Sequence, residues 1–356
     1  MAIQVLKQSV GIDMSKDSLL VCFCRQESDR PFVVRWSRQF TSDRRGLSQL
    51  NQRLQREASA CGAPLYILLE PTGVYHEEVA YMLHEHGFSV SMVLPNRSKH
   101  FAKSLEHKGK SDESDAQMLA RMALERQMPK WVPPSATMLE IRRLCRERQA
   151  LLDDKTAVGN RLHAFEWSHK PDGEMLKRAL KHLKFIAGQV KEVEQQIKKR
   201  IDGDPDLKCR IEAVCSIKGV GSITAATIVG ETNAFALFKN KAQLVSYAGY
   251  DVVKEQSGTS LDTPGKISKK GSSYLRKALH FPAITAVKHE PLFNKMFNRV
   301  MDKTKVKMKG YVAVQRKLLV LIYTIYKSGQ KFDPNYVSIK KTNLTQTKQA
   351  GTSAPA

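Results

Sequence analysis

The stretch Lys108-Gly-Lys-Ser-Asp-Glu-Ser-Asp-Ala-Gln-Met-Leu-Ala-Arg121 offers two carboxylates at a spacing suited to joint work. Ser111 suits a helix N-cap, and acids in a first turn suit the positive end of a helix dipole. Met118, Leu119 and Met122 then repeat at helical spacing, so Asp112 and Asp115, three apart, share one face. Lys99, Lys103, Lys108 and Lys110 crowd the approach. Taken alone, such an Asp-x-x-Asp is a well-capped surface helix. Upstream, however, two apolar runs each end in a further acid, Asp13 and Glu70. A carboxylate at the end of a strand sits at the sheet rim, where open α/β sheets place ligands. Four acids converging there could not stay ionised without cations between them. Hard oxygen donors point to Mg²⁺ or Mn²⁺, and two such ions about 4 Å apart clamp a phosphodiester.

A second region has chemistry of its own. Lys254-Glu-Gln-Ser-Gly-Thr-Ser260 is followed by Gly265-Lys-Ile-Ser-Lys-Lys-Gly-Ser-Ser-Tyr-Leu-Arg-Lys277. A glycine-flanked loop rich in Ser and Lys, running into a helix at about Ser272, is a phosphate-cradling layout. No single serine stands out, since each also suits a turn. Lys266, Lys269, Lys270 and Arg276 could steady a phosphate and its developing charge. Earlier, Ile217-Lys218-Gly219-Val220-Gly221 separates two helical patterns and reads as a helix-hairpin-helix or as a plain tight turn. In the first reading the two glycines let backbone amides approach a phosphate, with Lys218 beside them.

The elements that must position these groups follow from periodicity. Residues 8–24 read as a strand hairpin, residues 33–40 as a third strand and residues 44–58 as a helix. Residues 64–70 suit a buried strand, 75–86 a helix, and 88–94 a strand closed by Pro95. Alternating strands and helices predict an α/β domain with a mixed sheet over 1–130. A Pro-rich break at 129–135 precedes a long helical hairpin or coiled coil over 137–201, turned at Lys170-Pro171-Asp172-Gly173. Its basic outer face, including Arg142, Arg146, Lys177 and Arg200, is either a nucleic-acid contact or a solvated surface. Residues 206–336 predict a mostly α domain, and 337–356 a disordered polar tail.

Lys plus Arg outnumber Asp plus Glu by 58 to 35 in 356 residues, a net charge of +23. A polyanion, foremost nucleic acid, is the implied partner. An anionic membrane is the rival, but no segment reaches about 18 uninterrupted apolar residues. Six cysteines form no CxxC pair and match no zinc spacing, so they read as buried thiols in a reducing cytosol. The N-terminus lacks a signal-peptide layout, which fits a cytoplasmic, nucleoid-associated protein.

Gly11-Ile12-Asp13-Met14-Ser15-Lys16, Leu69-Glu70-Pro71-Thr72-Gly73-Val74-Tyr75 and Lys110-Ser111-Asp112-Glu113-Ser114-Asp115-Ala116 resemble the RuvC-like (RNase H-like) DEDD domain of one insertion-sequence transposase family. That family of serine-containing DEDD recombinases also includes Piv-type DNA invertases, and several members are guided by a bridge RNA. The Ile-Ser-Lys-Lys-Gly and Tyr-Leu-Arg blocks resemble its C-terminal transposase domain, although Tyr250-Asp251 stands where members more often read Leu-x-Pro. The resemblance implies metal binding by Asp13, Glu70, Asp112 and Asp115, and it selects Ser257 as a nucleophile. It further implies dimerisation through the coiled coil, a tetramer on two DNAs, and acids of one subunit meeting Ser257 of another. A guide RNA is implied in the same way. Three alternatives remain at this point: a RuvC-like metal nuclease that hydrolyses junction DNA with water, a nucleic-acid-binding protein whose acids are structural, and a Piv-like invertase that shares the chemistry and differs in which DNA ends are joined.

Overall fold

The computed structural model describes residues 3–71, 73–105, 111–253, 256–257, 261–262 and 265–335, with backbone alone for 256, 257, 261 and 262. It divides into two compact units, Met1–Pro133 and Pro134–Ala356.

In the first unit, β1 (Val5–Met14) and β2 (Ser18–Glu27) form the expected hairpin, and β3 (Val33–Thr41) pairs antiparallel with β2. Asp43 then caps α1 (Arg44–Ala60) by accepting from the Gly46 amide at 2.7 Å. There follow β4 (Leu65–Leu69), α2 (His76–Glu85), β5 (Ser89–Met92), α3 (Pro95–Ser104) and α4 (Asp112–Glu125). The sheet order is β3-β2-β1-β4-β5, with β4 parallel to both β1 and β5, so the expected mixed α/β sheet is present.

The two faces of this sheet are covered differently. Val10, Ile12, Ile67 and Leu69 pack with Leu47, Leu50 and Leu54 of α1 and Leu83 of α2. Each such fully buried aliphatic side chain contributes about 1.5–3 kcal/mol of transfer free energy. On the other face, Leu68 packs with Phe101 of α3 and with Met118, Leu119 and Met122 of α4. Gly11 of β1 also faces α4. A Cβ there would lie 2.0 Å from the Ala116 carbonyl oxygen and 2.3 Å from the Ala120 amide nitrogen. Strand and helix backbones therefore touch, which only glycine permits. That close approach matters two residues further on, at Asp13.

α3 is an element the sequence pattern does not announce. Pro95 ends the strand segment, but it also occupies the first helical turn, where its missing amide costs nothing.

In the second unit, α5 (Ala136–Glu166) and α6 (Gly173–Asp202) form a helical hairpin, with Ser135 and Asp172 as their N-caps. Val158 of α5 packs with Ile186 and Val190 of α6. Nearer the other end, Met138, Ile141, Val193 and Ile197 enter a larger core. That core is shared with α7 (Pro205–Cys215), α8 (Ser222–Glu231), α9 (Lys241–Tyr247), α10 (Ser273–His289), α11 (Pro291–Thr304) and α12 (Lys307–Ser328). Between α9 and α10 the described residues include four short strands, β6 (Val252–Val253), β7 (Gln256–Ser257), β8 (Leu261–Asp262) and β9 (Lys266–Ile267). β6 pairs with β9 and β7 with β8, both antiparallel. The region is mostly helical, as expected. α11, opened by Pro291, was not foreseen.

Among the described residues no helix is long and apolar enough to cross a membrane. All six cysteines are free, and Cys209 is exposed rather than buried. The tail expected over 337–356 lies outside the described residues.

Candidate active site

Sheet register brings the first two acids together. Ile12 pairs with Leu69 across the parallel strands β1 and β4, so Asp13 and Glu70 leave neighbouring strands side by side. Side chains alternate along a strand, which puts Asp13 in phase with Gly11 and Glu70 in phase with Leu68, on the α4 face. α4 starts with a reciprocal cap: Ser111 Oγ accepts from the Ser114 amide at 3.1 Å, and Ser114 Oγ accepts from the Ser111 amide at 2.9 Å. Asp112 and Asp115 are thereby fixed in the first helical turn.

The four carboxylates share one electrostatic field. The Asp13 carboxyl is pushed up from 3.8 to about 6, first by burial and then by Asp115, Asp112 and Glu70. Glu70 is itself oriented: Oε2 accepts a hydrogen bond from the hydroxyl of Ser98, which is 1% exposed on α3. Sequence reading missed Ser98, and the available signal was Pro95 as a helix start.

Among the described residues, no three acidic, histidine or cysteine side chains are drawn close enough to ligate an ion as they stand. The donor set nevertheless fits a hard divalent cation. Asp13 lies in a field of three like charges, an imbalance that such an ion relieves. Mg²⁺ keeps several of its waters and takes only one or two carboxylates directly, so a spread set suits it.

The remaining candidates lie in the second unit, apart from Lys110, which lies outside the described residues. Ser257 stands in β7 opposite Leu261, and its side chain is outside the description. Lys266, Lys269 and Lys270 are exposed on the returning side of the same arm. Arg276 Nη1 donates to three carbonyl oxygens, of Ala248 at 2.9 Å, Gly271 at 3.0 Å and Ser272 at 3.2 Å.

In the turn between α7 and α8, Lys218 Nζ lies 3.9 Å from Glu290 Oε2. Gly219 has φ +94°, and a Cβ there would meet the Pro282 carbonyl oxygen at 2.8 Å, so packing against α10 already demands a glycine. Gly221, the N-cap of α8, faces open space. Part of the basic face of the hairpin is committed within the unit. Arg146 grips the buried Glu231 with two bonds of 2.6 and 2.9 Å, and Arg148 bonds Glu194 at 2.7 Å. Both arginines line a groove of about 950 Å³, together with Tyr274, His280 and Phe281.

Residues 10–165 match a family model described as a transposase, the DEDD type of IS110. Residues 211–298 match another, described as transposase IS116/IS110/IS902 family. The pilin gene-inverting protein of Moraxella bovis is 27% identical over 333 residues, covering 92% of this chain and 98% of the relative. The transposase for insertion sequence element IS1328 of Yersinia enterocolitica is 22% identical, covering 76% and 81%. Among solved structures, Thermus thermophilus RuvC has 11% identity and a TM-score of 0.27, over 35% of this chain and 99% of that one. T. thermophilus RuvC in complex with a Holliday junction substrate has 15% identity and a TM-score of 0.24, over 32% and 90%.

With matches in both units, the class is that of a DNA transposase or recombinase. Along residues 10–165 and 211–298 the chain is similar to transposases of the IS116/IS110/IS902 family.

Proposed function

We propose that this protein is the site-specific recombinase of an insertion sequence, cutting and rejoining DNA through a phosphoserine link at Ser257. The observation that carries the reading is the shared field of Asp13, Glu70, Asp112 and Asp115 at the sheet rim. These carboxylates would hold Mg²⁺ or Mn²⁺. Bound there, the ion supplies Lewis acidity to the scissile phosphate and lowers the pKa of a coordinated oxygen.

The chain's own groups do the rest. Ser257 Oγ forms a bond to phosphorus as the bond from phosphorus to a deoxyribose oxygen breaks. The serine proton passes to a carboxylate of the acidic set, and the leaving oxygen takes up a proton. The link conserves the phosphodiester energy, so a second strand end can displace Ser257 without ATP. Lys266, Lys269 and Lys270 steady the phosphate, and Lys110, Lys218 and Gly221 add contacts to the nucleic-acid backbone. A net charge of +23 supports a polyanion partner.

The partners are DNA at the element junction and target and, on the resemblance, a guide RNA. A homodimer assembling to a tetramer supplies the acids of one subunit to Ser257 of another. The test is a plasmid carrying the element's two ends, incubated with Mg²⁺, co-expressed flanking RNA and mixed protomers. Ser257→Ala and Asp13→Asn proteins, each inactive alone, are expected to regain recombination when mixed. If the mixture stays dead while wild type is active, the shared-subunit assembly is wrong.

Ser98 gives a milder prediction. Ser98→Ala frees the Glu70 carboxylate, and loss of such a supporting hydrogen bond costs about 10-fold in metal affinity. The Mg²⁺ concentration for half-maximal cleavage is expected to rise by that factor, as is the Mn²⁺ concentration needed to raise the melting temperature. An unchanged metal titration removes Ser98 from the site.

A further inference from the structure

Ser257 is carried on an arm whose two feet meet. The chain leaves α9 at Ala248 and Gly249, runs out through β6 and β7, returns through β8 and β9, and re-enters α10 after Gly271 and Ser272. Val252 pairs with Ile267 and Val253 with Lys266 in the stem, and Ser257 pairs with Leu261 further out. At the feet, the Ser272 amide donates to the Tyr247 carbonyl at 2.8 Å and the Lys269 amide to the Gly249 carbonyl at 3.1 Å. A Cβ on Gly271 would lie 2.3 Å from the Tyr247 carbonyl oxygen and 2.6 Å from the Gly249 amide nitrogen. The two backbones are thus in direct contact there.

One side chain ties the outgoing foot to the returning one. Arg276, in the first turns of α10, points Nη1 at Ala248 O on the outgoing side and at Gly271 O and Ser272 O on the returning side. Nη1 has two protons for three acceptors, so at least one bond is shared. Bonds from a charged donor are the stronger kind. Next to this staple, Tyr250 is fully buried and its hydroxyl donates to Gln315 Oε1 of α12 at 3.0 Å. The outgoing foot is therefore anchored in the core, and Arg276 clamps the returning foot to it.

We infer that Arg276 is a positioning residue for Ser257, setting the direction in which the arm leaves the core. This rests on the reading of Ser257 as nucleophile. A phosphate ligand at this position would use the guanidinium as a charge; a staple uses it as a fork aimed at carbonyls. Arg276→Lys keeps the charge and loses the fork. Gly249→Ala leaves Arg276 intact but puts a Cβ 2.9 Å from Nη1 and 3.0 Å from the Lys269 carbonyl carbon, at a backbone φ of +73° that strains any L side chain.

The experiment uses the full-length protein with Mg²⁺ and labelled junction DNA. It measures the rate of covalent adduct formation, the Kd for the DNA across a salt series, and amide exchange over residues 249–271. Both variants are expected to lose about 10²-fold in adduct rate, the cost of a misplacement near 1 Å. Kd and its salt slope should stay at the wild-type values while exchange in the arm quickens.

A Kd that weakens in step with the adduct rate, with a salt slope smaller by about 1, makes Arg276 a phosphate contact and overturns the inference. Wild-type adduct rates in both variants, beside a dead Ser257→Ala, overturn it and leave the serine reading standing. An adduct that survives Ser257→Ala removes the serine reading and this inference together. Loss of cooperative melting in both variants also overturns it, because Arg276 then supports the whole unit rather than the arm.

Discussion

Ser257→Ala is expected to lower DNA recombination by at least ~10³-fold while leaving affinity for junction DNA within a factor of about three. The argument is chemical. Rejoining without ATP needs the phosphodiester energy held in a covalent bond, and alanine has no oxygen to hold it. The binding surface should persist, because β7 is held by its backbone pairing with β8, which alanine keeps. Adding Asp13→Asn to Ser257→Ala should lower the rate no further than the worse single change, as groups that act as a unit are not additive. A gel-shift titration beside a plasmid recombination assay reads both quantities.

Asp13→Asn has opposite effects on activity and stability. Recombination should fall by ~10³-fold or more, since several kcal/mol of transition-state stabilisation depends on the bound ion. Metal-free protein, by contrast, should become more stable. Folded Asp13 keeps its proton up to about 6, whereas the ordinary aspartate value is 3.8. Between those values the folded state binds more protons than the unfolded one, so its stability falls as pH rises through that window. At pH 8 the whole penalty is present, and below about pH 4 it is gone. The full shift corresponds to about 3 kcal/mol. Screening at a half-exposed site reduces this to about 1–2 kcal/mol, and the melting temperature of the variant should exceed wild type by about 3–8 °C at pH 8. Mn²⁺ should then raise the wild-type melting temperature but not that of the variant. A variant that melts lower at pH 8 without metal would contradict the shared field of the four acids.

Much of this site was legible in the sequence because its devices are local. Ser111 announced the start of α4, and the apolar runs ending in Asp13 and Glu70 announced strand ends at a rim. What was not legible depends on which parts of the chain lie opposite one another. Pro95 serves both as a strand stop and as the first turn of α3, so the helix that brings Ser98 to Glu70 went unread. Gly11 looked like part of a strand, yet its missing Cβ is what lets β1 touch α4. Gly219 suggested amides open to a phosphate, while the backbone of α10 lies against its Cα. Arg276 suggested a phosphate ligand by residue type alone, yet it meets three carbonyls, and one of them, that of Ala248, belongs to a foot of the arm 28 residues earlier.

The most direct test of metal-assisted serine recombination is covalent trapping. Wild-type protein with flanking RNA, Mg²⁺ and labelled junction DNA is run on a denaturing gel, beside Ser257→Ala, Asp13→Asn and an EDTA control. The account predicts a protein–DNA adduct in the wild-type lane alone, with mass spectrometry placing the nucleotide on Ser257. Cleaved DNA without an adduct, persisting in Ser257→Ala, would contradict it and make the protein a hydrolytic nuclease.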